Sequence, residues 1–246
     1  MAEDMATSFG AQAADYEVGR PEYPFDAVAW MLERMPHGTR RIADVGAGTG
    51  KLTRVLAHAP DAEVVAIDPD SEMLATLRGA VPGVPTFVGS AERLPLPDAS
   101  VDAVVLGQAW HWVDSVAGSA EIGRVVRSGG VLGLIWNIRD DRVDWVRRLT
   151  EIMHGSHAEN MLAEGDPVVA APFGGLEQER WEWGRPITRD LLHRMAASRS
   201  YIITASDDEK ARIQGDLDAL FDELDLHGET TIDLPYVTRA YRAIRD

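Results

Sequence analysis

The sequence predicts an α/β fold, a parallel sheet wound with helices on both faces. Three observations lead there. From about residue 25 to residue 136, short apolar runs alternate with segments of helical period. A glycine-rich turn, Gly46-Ala47-Gly48-Thr49-Gly50, follows the first apolar run. An aspartate, Asp68, closes the second.

Each element has its own warrant. Phe25 to Met35 places Ala27, Val28, Met31, Leu32 and Met35 at helix spacing, after Pro24, a residue suited to a helix start. Arg41 to Val45 is a short strand that ends in the glycines. Leu52 to His58 reads as helix and Ala62 to Ile67 as a buried strand. Ser71 to Arg78 is a helix with Asp70 or Ser71 as its cap. Val84 to Val88 and Val101 to Leu106 are the third and fourth strands. Ser119 to Arg127 is a helix and Gly130 to Trp136 the fifth strand. Arg142 to His154 is helical. Gly155 to Gly175, rich in Gly, Pro and Ala, reads as loop. Leu176 to Trp183 is a sixth strand and Ile187 to Leu226 is mostly helical. Thr230 to Ala243 is a last strand, which Pro235 would put at an edge or a bulge.

The chain has 246 residues, enough for one large domain, and is 45% hydrophobic, enough for a sizeable core. A formal net charge of −16 argues against nucleic acid and anionic membrane as partners. There is no cysteine, which excludes disulfides, zinc–thiolate sites and a cysteine nucleophile. No apolar run is long enough to span a membrane, and the N-terminus lacks the pattern of a secretory signal, so a cytoplasmic location is expected.

The glycine turn fails two tests. Gly50-Lys51 would make a Walker A loop only with glycine at Val45 and a hydroxyl at Leu52. A dinucleotide fingerprint would need glycine at Lys51. The observed spacing is Gly-x-Gly-x-Gly. With Asp68 at the tip of the next strand, placed to accept the hydroxyls of a ribose, the pattern favours an adenosine-type ligand.

These residues resemble a class I S-adenosylmethionine-dependent methyltransferase of the small-molecule group that includes trans-aconitate methyltransferase-like proteins. Asp44-Val45-Gly46-Ala47-Gly48-Thr49-Gly50-Lys51-Leu52 is similar to the family's first motif, and Asp68-Pro69 to its ribose-holding acid. Gly89-Ser90-Ala91-Glu92 before Leu94-Pro95-Leu96-Pro97 resembles the segment that frames adenine, with Ser90 where aspartate is usual. Val126-Arg127-Ser128-Gly129-Gly130 resembles the Leu-Lys-Pro-Gly-Gly turn. Phe9, Tyr16, Arg20-Pro21 and Tyr23-Pro24 resemble the N-terminal lid.

The resemblance implies a doubly wound seven-stranded, mostly parallel sheet in order 3-2-1-4-5-7-6, with the last strand antiparallel. It implies a single domain over residues 1–246: an N-terminal lid over 1–35, a cofactor-binding core over 36–140, and C-terminal strands with helical cap insertions over 141–246. It assigns cofactor contacts to Tyr16, Arg20, Gly46, Ala47, Gly48, Gly50, Asp68, Pro69, Met73, Ser90, Ala91, Glu92, Gln108 and Ala109. The implied activity is methyl transfer from S-adenosylmethionine to a small-molecule acceptor, at a carboxylate or hydroxyl oxygen, releasing S-adenosylhomocysteine. A non-catalytic binding protein and a nicotinamide-dependent oxidoreductase are the alternatives.

Gln108-Ala109-Trp110-His111-Trp112 follows the fourth strand, where this architecture faces the sulfonium. The tryptophans could wall the methyl group, or only pack; His111 is the candidate catalytic residue, better placed to orient an acceptor than to deprotonate it. Arg139 suits either a substrate carboxylate or a surface ion pair with Asp140 or Asp141. His154-Gly155-Ser156-His157 lacks a third ligand at a recognisable spacing, so no metal site is expected. Asp207-Asp208-Glu209 suits a helix N-terminus.

Overall fold

The computed structural model describes residues 19–35, 38, 40–197, 202 and 205–246. Seven strands form one sheet: β1 (Arg40–Val45), β2 (Ala62–Asp68), β3 (Thr86–Val88), β4 (Val101–Gly107), β5 (Val126–Arg139), β6 (Glu177–Thr188) and β7 (Thr231–Ile244). Their order is β3-β2-β1-β4-β5-β7-β6, as the resemblance implied. β7 runs antiparallel to both of its neighbours, and the other pairings are parallel.

The period-2 alternation of the strands sorts two cores. Ile42, Ala103, Val105, Val131 and Ile135 face α1 (Phe25–Leu32) and α2 (Lys51–Leu56). Ala43, Val45, Val104, Leu106, Leu132 and Leu134 face the opposite side, with Ile122 and Val125 of α4 (Ser115–Val125). α3 (Ser71–Ala80) packs Leu74 and Leu77 onto Ala47 and Ala66. A third core joins α5 (Asp144–Met153), α7 (Arg189–Ala197) and α8 (Asp207–Glu223) to Ile187, Leu234 and Tyr236 at the far end of β6 and β7. Ser206 caps α8 and its first turn holds Asp207, Asp208 and Glu209, as their spacing suggested.

Several expected boundaries move. The helix before β5 starts at Ser115 rather than Ser119, because Asp114 accepts hydrogen bonds from the backbone N–H of Val116 and Ala117. β5 begins at Val126, so Arg127 belongs to the strand, and it runs on to Arg139. Gly155 to Gly175 is not all loop. It contains α6 (His157–Glu164), closed by a capping box between Ser156 and Glu159. β6 continues to Thr188, and β3 is only three residues long.

Pro235 sits in an interior strand, not at an edge, and pairs with Gly184 of β6. Its carbonyl accepts from Asp140 N, just beyond the Arg139–Tyr236 pair where the β5 ladder ends. Its nitrogen shares that side, so the bond it forgoes is the reciprocal one to Asp140, at the point where the β5 ladder ends.

Candidate active site

The parallel strands β1, β2, β4 and β5 all end at one edge of the sheet, the edge at which open α/β sheets bind ligands. The chain leaves β1 through Gly46, whose N–H bonds Ile67 O at 2.8 Å. Gly46 has φ of 69°, and a Cβ there would lie 2.6 Å from the Ala109 Cβ, so glycine is required by packing. Gly48 has φ of 54°, and a Cβ there would meet nothing within 4 Å. It borders open space, as the approach side of a ligand cradle must.

Asp68 ties the turn to β2. Its Oδ2 accepts from Gly48 N and its Oδ1 from Asp70 N, both at 2.8 Å. Burial raises its pKa, the two N–H donors oppose that, and the Asp70 charge adds to it. Each carboxylate oxygen still has a second lone pair for a hydroxyl. Asp70, not Asp68, caps α3, accepting from the N–H groups of Glu72 and Met73. Asp44, at the end of β1, is fully buried. Its Oδ2 accepts from Thr53 Oγ1 at 2.5 Å, while Oδ1 is buried with no partner among the described residues. Burial pushes its pKa up to about 7 against the Thr53 bond, and the Asp68 charge adds to the rise.

The main cleft is lined by Arg20, Pro21 and Tyr23, the turn from Gly46 to Thr49, Lys51 and Leu52 at the start of α2, and Gly107, Gln108 and Asn137. It encloses about 450 Å³, counting its open mouth. Gln108 enters at φ of 55° and donates from Nε2 to Asn137 O at 2.9 Å. Asn137 Nδ2 donates to Glu22 O at 3.1 Å, which fastens the segment bearing Arg20 over the sheet edge. Lys51 was not singled out from sequence; its ammonium lies 3.7 Å from Glu22. Tyr16 lies outside the described residues.

The remaining assigned positions fall beside the cleft rather than in its lining. Pro69 is exposed and Met73 and Ala91 are buried. Ser90 exchanges backbone hydrogen bonds with Arg93, and Glu92 accepts from Asp114 N at 3.0 Å. The segment that follows is held by an unforeseen pair: Arg124 donates to Leu94 O and Leu96 O, and Glu121 accepts from Leu94 N.

Trp110-His111-Trp112 is a single 3-10 turn. Trp110 is buried and its Nε1 donates to Val168 O, so it packs. His111 lines neither this cleft nor the cavity beside it. Its Nδ1 accepts from Trp136 Nε1 at 3.4 Å. Trp112 stacks on His157 of α6, ring centres 4.9 Å apart. Burial above all, then the nearby charges of His157 and Arg20, lowers the His111 pKa to about 4. The ring is therefore neutral near pH 7, and with Nδ1 as acceptor the proton sits on Nε2.

A second cavity shares the wall of Arg20, Pro21, Gln108 and Asn137. It continues to Arg139, Ser156, Glu159, Met195 and Tyr236. The sequence left Arg139 between a substrate carboxylate and a surface pair with Asp140 or Asp141. The surface pair does not form. Asp140 is taken by Arg142, whereas Arg139 is buried, with Nη2 3.0 Å from Glu159 and Nη1 3.6 Å from Met153 Sδ. Its Nε is buried with no acceptor among the described residues. Leaving such a donor unmatched costs about 1–3 kcal/mol. Glu159 was missed, although the Ser-x-x-Glu box at 156–159 was there to be read. Among the described residues, no group of three His, Cys, Asp or Glu side chains could hold a metal ion.

Comparison with known proteins agrees with this geometry. Residues 43–134 match the family model of the methyltransferase domain. The chain is 43% identical to an uncharacterized methyltransferase of Mycobacterium tuberculosis, covering 98% of this chain and 96% of the relative. It is 36% identical to a malonyl-[acyl-carrier protein] O-methyltransferase of Methylococcus capsulatus, over 52% of this chain and 49% of the relative. The structure described as a type II methyltransferase from Anaeromyxobacter dehalogenans superposes with a TM-score of 0.65 at 27% identity, covering 92% and 97% of the two chains. The chain belongs to the class I S-adenosylmethionine-dependent methyltransferases. It is an enzyme whose cofactor is S-adenosylmethionine, and the nicotinamide-dependent alternative falls away.

The residues present fit that cofactor. The open face of Gly48 leaves room for a backbone-hugging ligand, and Asp68 retains lone pairs for ribose hydroxyls.

Proposed function

We propose that this enzyme methylates an oxygen of a small-molecule acceptor, and that the acceptor occupies the cavity running from Gln108 and Asn137 to Arg139. The observation that carries this is the shared wall: Arg20, Pro21, Gln108 and Asn137 border both the cofactor cleft and the second cavity. A molecule there meets the cofactor end-on. Ser156 and Glu159 at the start of α6 and Met195 of α7 enclose the cavity, which favours a compact acceptor over a polymer.

When bound, S-adenosylmethionine would supply an activated methyl group and a neutral thioether as leaving group, and a carboxylate acceptor would become a neutral ester with no proton to lose. The chain's part is then positioning and exclusion of water. Gln108, fixed on Asn137 O, shapes the meeting point. His111, neutral and lining neither cavity, is a positioning residue held on Trp136 and not a base. The malonyl-[acyl-carrier protein] O-methyltransferase among the relatives supports an oxygen as acceptor atom.

The test is release of S-adenosylhomocysteine from purified enzyme supplied with S-adenosylmethionine and a panel of small carboxylic acids, phenols and amines. Turnover on at least one acid or phenol is expected. Turnover confined to amines, or to nucleic acid or protein acceptors, would refute the reading.

A further inference from the structure

We propose that Arg139 anchors a carboxylate of the acceptor that is separate from the atom receiving the methyl group. This rests on the acceptor cavity described above. The reacting atom belongs at the wall shared with the cofactor cleft, beside Gln108 and Asn137. Arg139 is two residues further along the same strand and so on the same side of the sheet, about 6.5–7 Å away. A ligand that touches both places carries an anionic group at some distance from its nucleophilic oxygen. A short dicarboxylic acid has that shape.

The charge balance agrees. Among the described lining residues the groups charged near pH 7 are Arg20, Arg139 and Glu159, which leaves one net positive charge. Arg139 is 3% exposed, and its Nε has no acceptor among the described residues. A planar fork whose Nε–H is unmatched, and whose Nη1 has only a thioether sulfur as acceptor, suits a planar carboxylate. Glu159 does not fill that role. Its Oε1 accepts from Nη2 of Arg139, and its Oε2 accepts from Ser156 N to cap α6. It holds the guanidinium in place and weakens the site's pull on an anion.

Calorimetric titration in saturating S-adenosylhomocysteine, with succinate, glutarate, adipate and their dimethyl esters as probes, tests this. At least one diacid should bind and its dimethyl ester should not. Arg139→Gln should weaken the diacid by about 10- to 100-fold, the worth of a charged hydrogen bond, while affinity for S-adenosylhomocysteine stays within about twofold. Glu159→Gln removes the competing charge and keeps one acceptor oxygen, for Nη2 or for Ser156 N but not both, so it should tighten the diacid by about threefold or more. A purely structural pair would predict no tightening. If Arg139→Gln does not fold, Glu159→Gln and Arg139→Lys decide, the latter losing the fork but not the charge and giving an intermediate loss. Unchanged diacid affinity in the Arg139 variant, no tightening in Glu159→Gln, or no diacid binding to the wild type while S-adenosylhomocysteine binds would each overturn the anchor. Failure of S-adenosylhomocysteine to bind the wild type would instead strike the reading beneath it.

Discussion

The backbone N–H of Gly48 points at Asp68 Oδ2 from 2.8 Å, so the turn after β1 and the tip of β2 form one unit before any ligand arrives. The carboxylate that the family motif marks as the ribose holder is thus also what holds the glycine turn in shape. Binding and local structure are coupled through one side chain.

Asp68→Asn is the sharper probe of that coupling. An amide has one acceptor oxygen, so one of the two N–H donors, Gly48 or Asp70, would face an NH₂ group. Affinity for S-adenosylmethionine should fall by about 1.5–3 kcal/mol, and unfolding stability by about 1–3 kcal/mol. Titration calorimetry and denaturant unfolding measure the two losses. An unchanged affinity would remove Asp68 from the site.

The glycines of the turn should separate by phenotype. Gly46→Ala drives a Cβ into Ala109 and should damage folding itself. Gly48→Ala has room in the protein, so its stability cost should be only the left-handed strain of about 1–2 kcal/mol. Its methyl group nevertheless enters the cleft, and cofactor affinity should drop about tenfold or more. Thermal melts with and without S-adenosylhomocysteine distinguish the two. Equal ligand-induced stabilisation of wild type and Gly48→Ala would contradict the placement of the cofactor.

What could be read in advance follows physical range. β1, β2 and β4 are short apolar runs ended by glycine or aspartate, so local pattern sufficed. β5 was cut short because Asn137 and Arg139 look like a loop until β7 supplies Thr238 and Tyr236 as their ladder partners. α6 was hidden by its Gly- and Pro-rich surroundings, although Ser156 and Glu159 spell out its capping box. Pro235 read as an edge signal because the end of the β5 ladder cannot be located from sequence. The pairing of Arg139 with Glu159 spans 20 residues across two elements, and no local pattern announces it.

Asp44 should make the protein less stable as pH rises. Its pKa in the folded state is about 7, against the ordinary 3.8, so between those values the folded protein holds a proton that the unfolded chain has released. Stability therefore declines across that window. Asp44→Asn removes the penalty and should melt at a higher temperature than wild type above pH 7, with the difference vanishing near pH 4. A wild-type advantage in apo stability at pH 8 would show that the carboxylate is stabilised by a partner after all.

His111 should act with the opposite sign. Its pKa falls from 6.5 to about 4 on folding, so between those values the unfolded chain binds the extra proton and stability is lost as pH drops. His111→Gln cannot titrate there, and should blunt the loss of melting temperature between pH 6.5 and 4. For turnover, a neutral ring accepting from Trp136 at Nδ1 has only Nε2–H to offer. Glutamine retains a donor, so the variant should lose less than about a hundredfold in kcat, the low end of general acid–base contributions. Cofactor affinity should stay within about threefold, since the ring does not line the cleft. The decisive measurement is the pH profile of kcat with an acceptor in hand. The wild type and His111→Gln should share the same profile above pH 6. Loss of a wild-type inflection in the variant, together with a drop well beyond a hundredfold, would make His111 the base and would require the ring to leave Trp136 during the reaction.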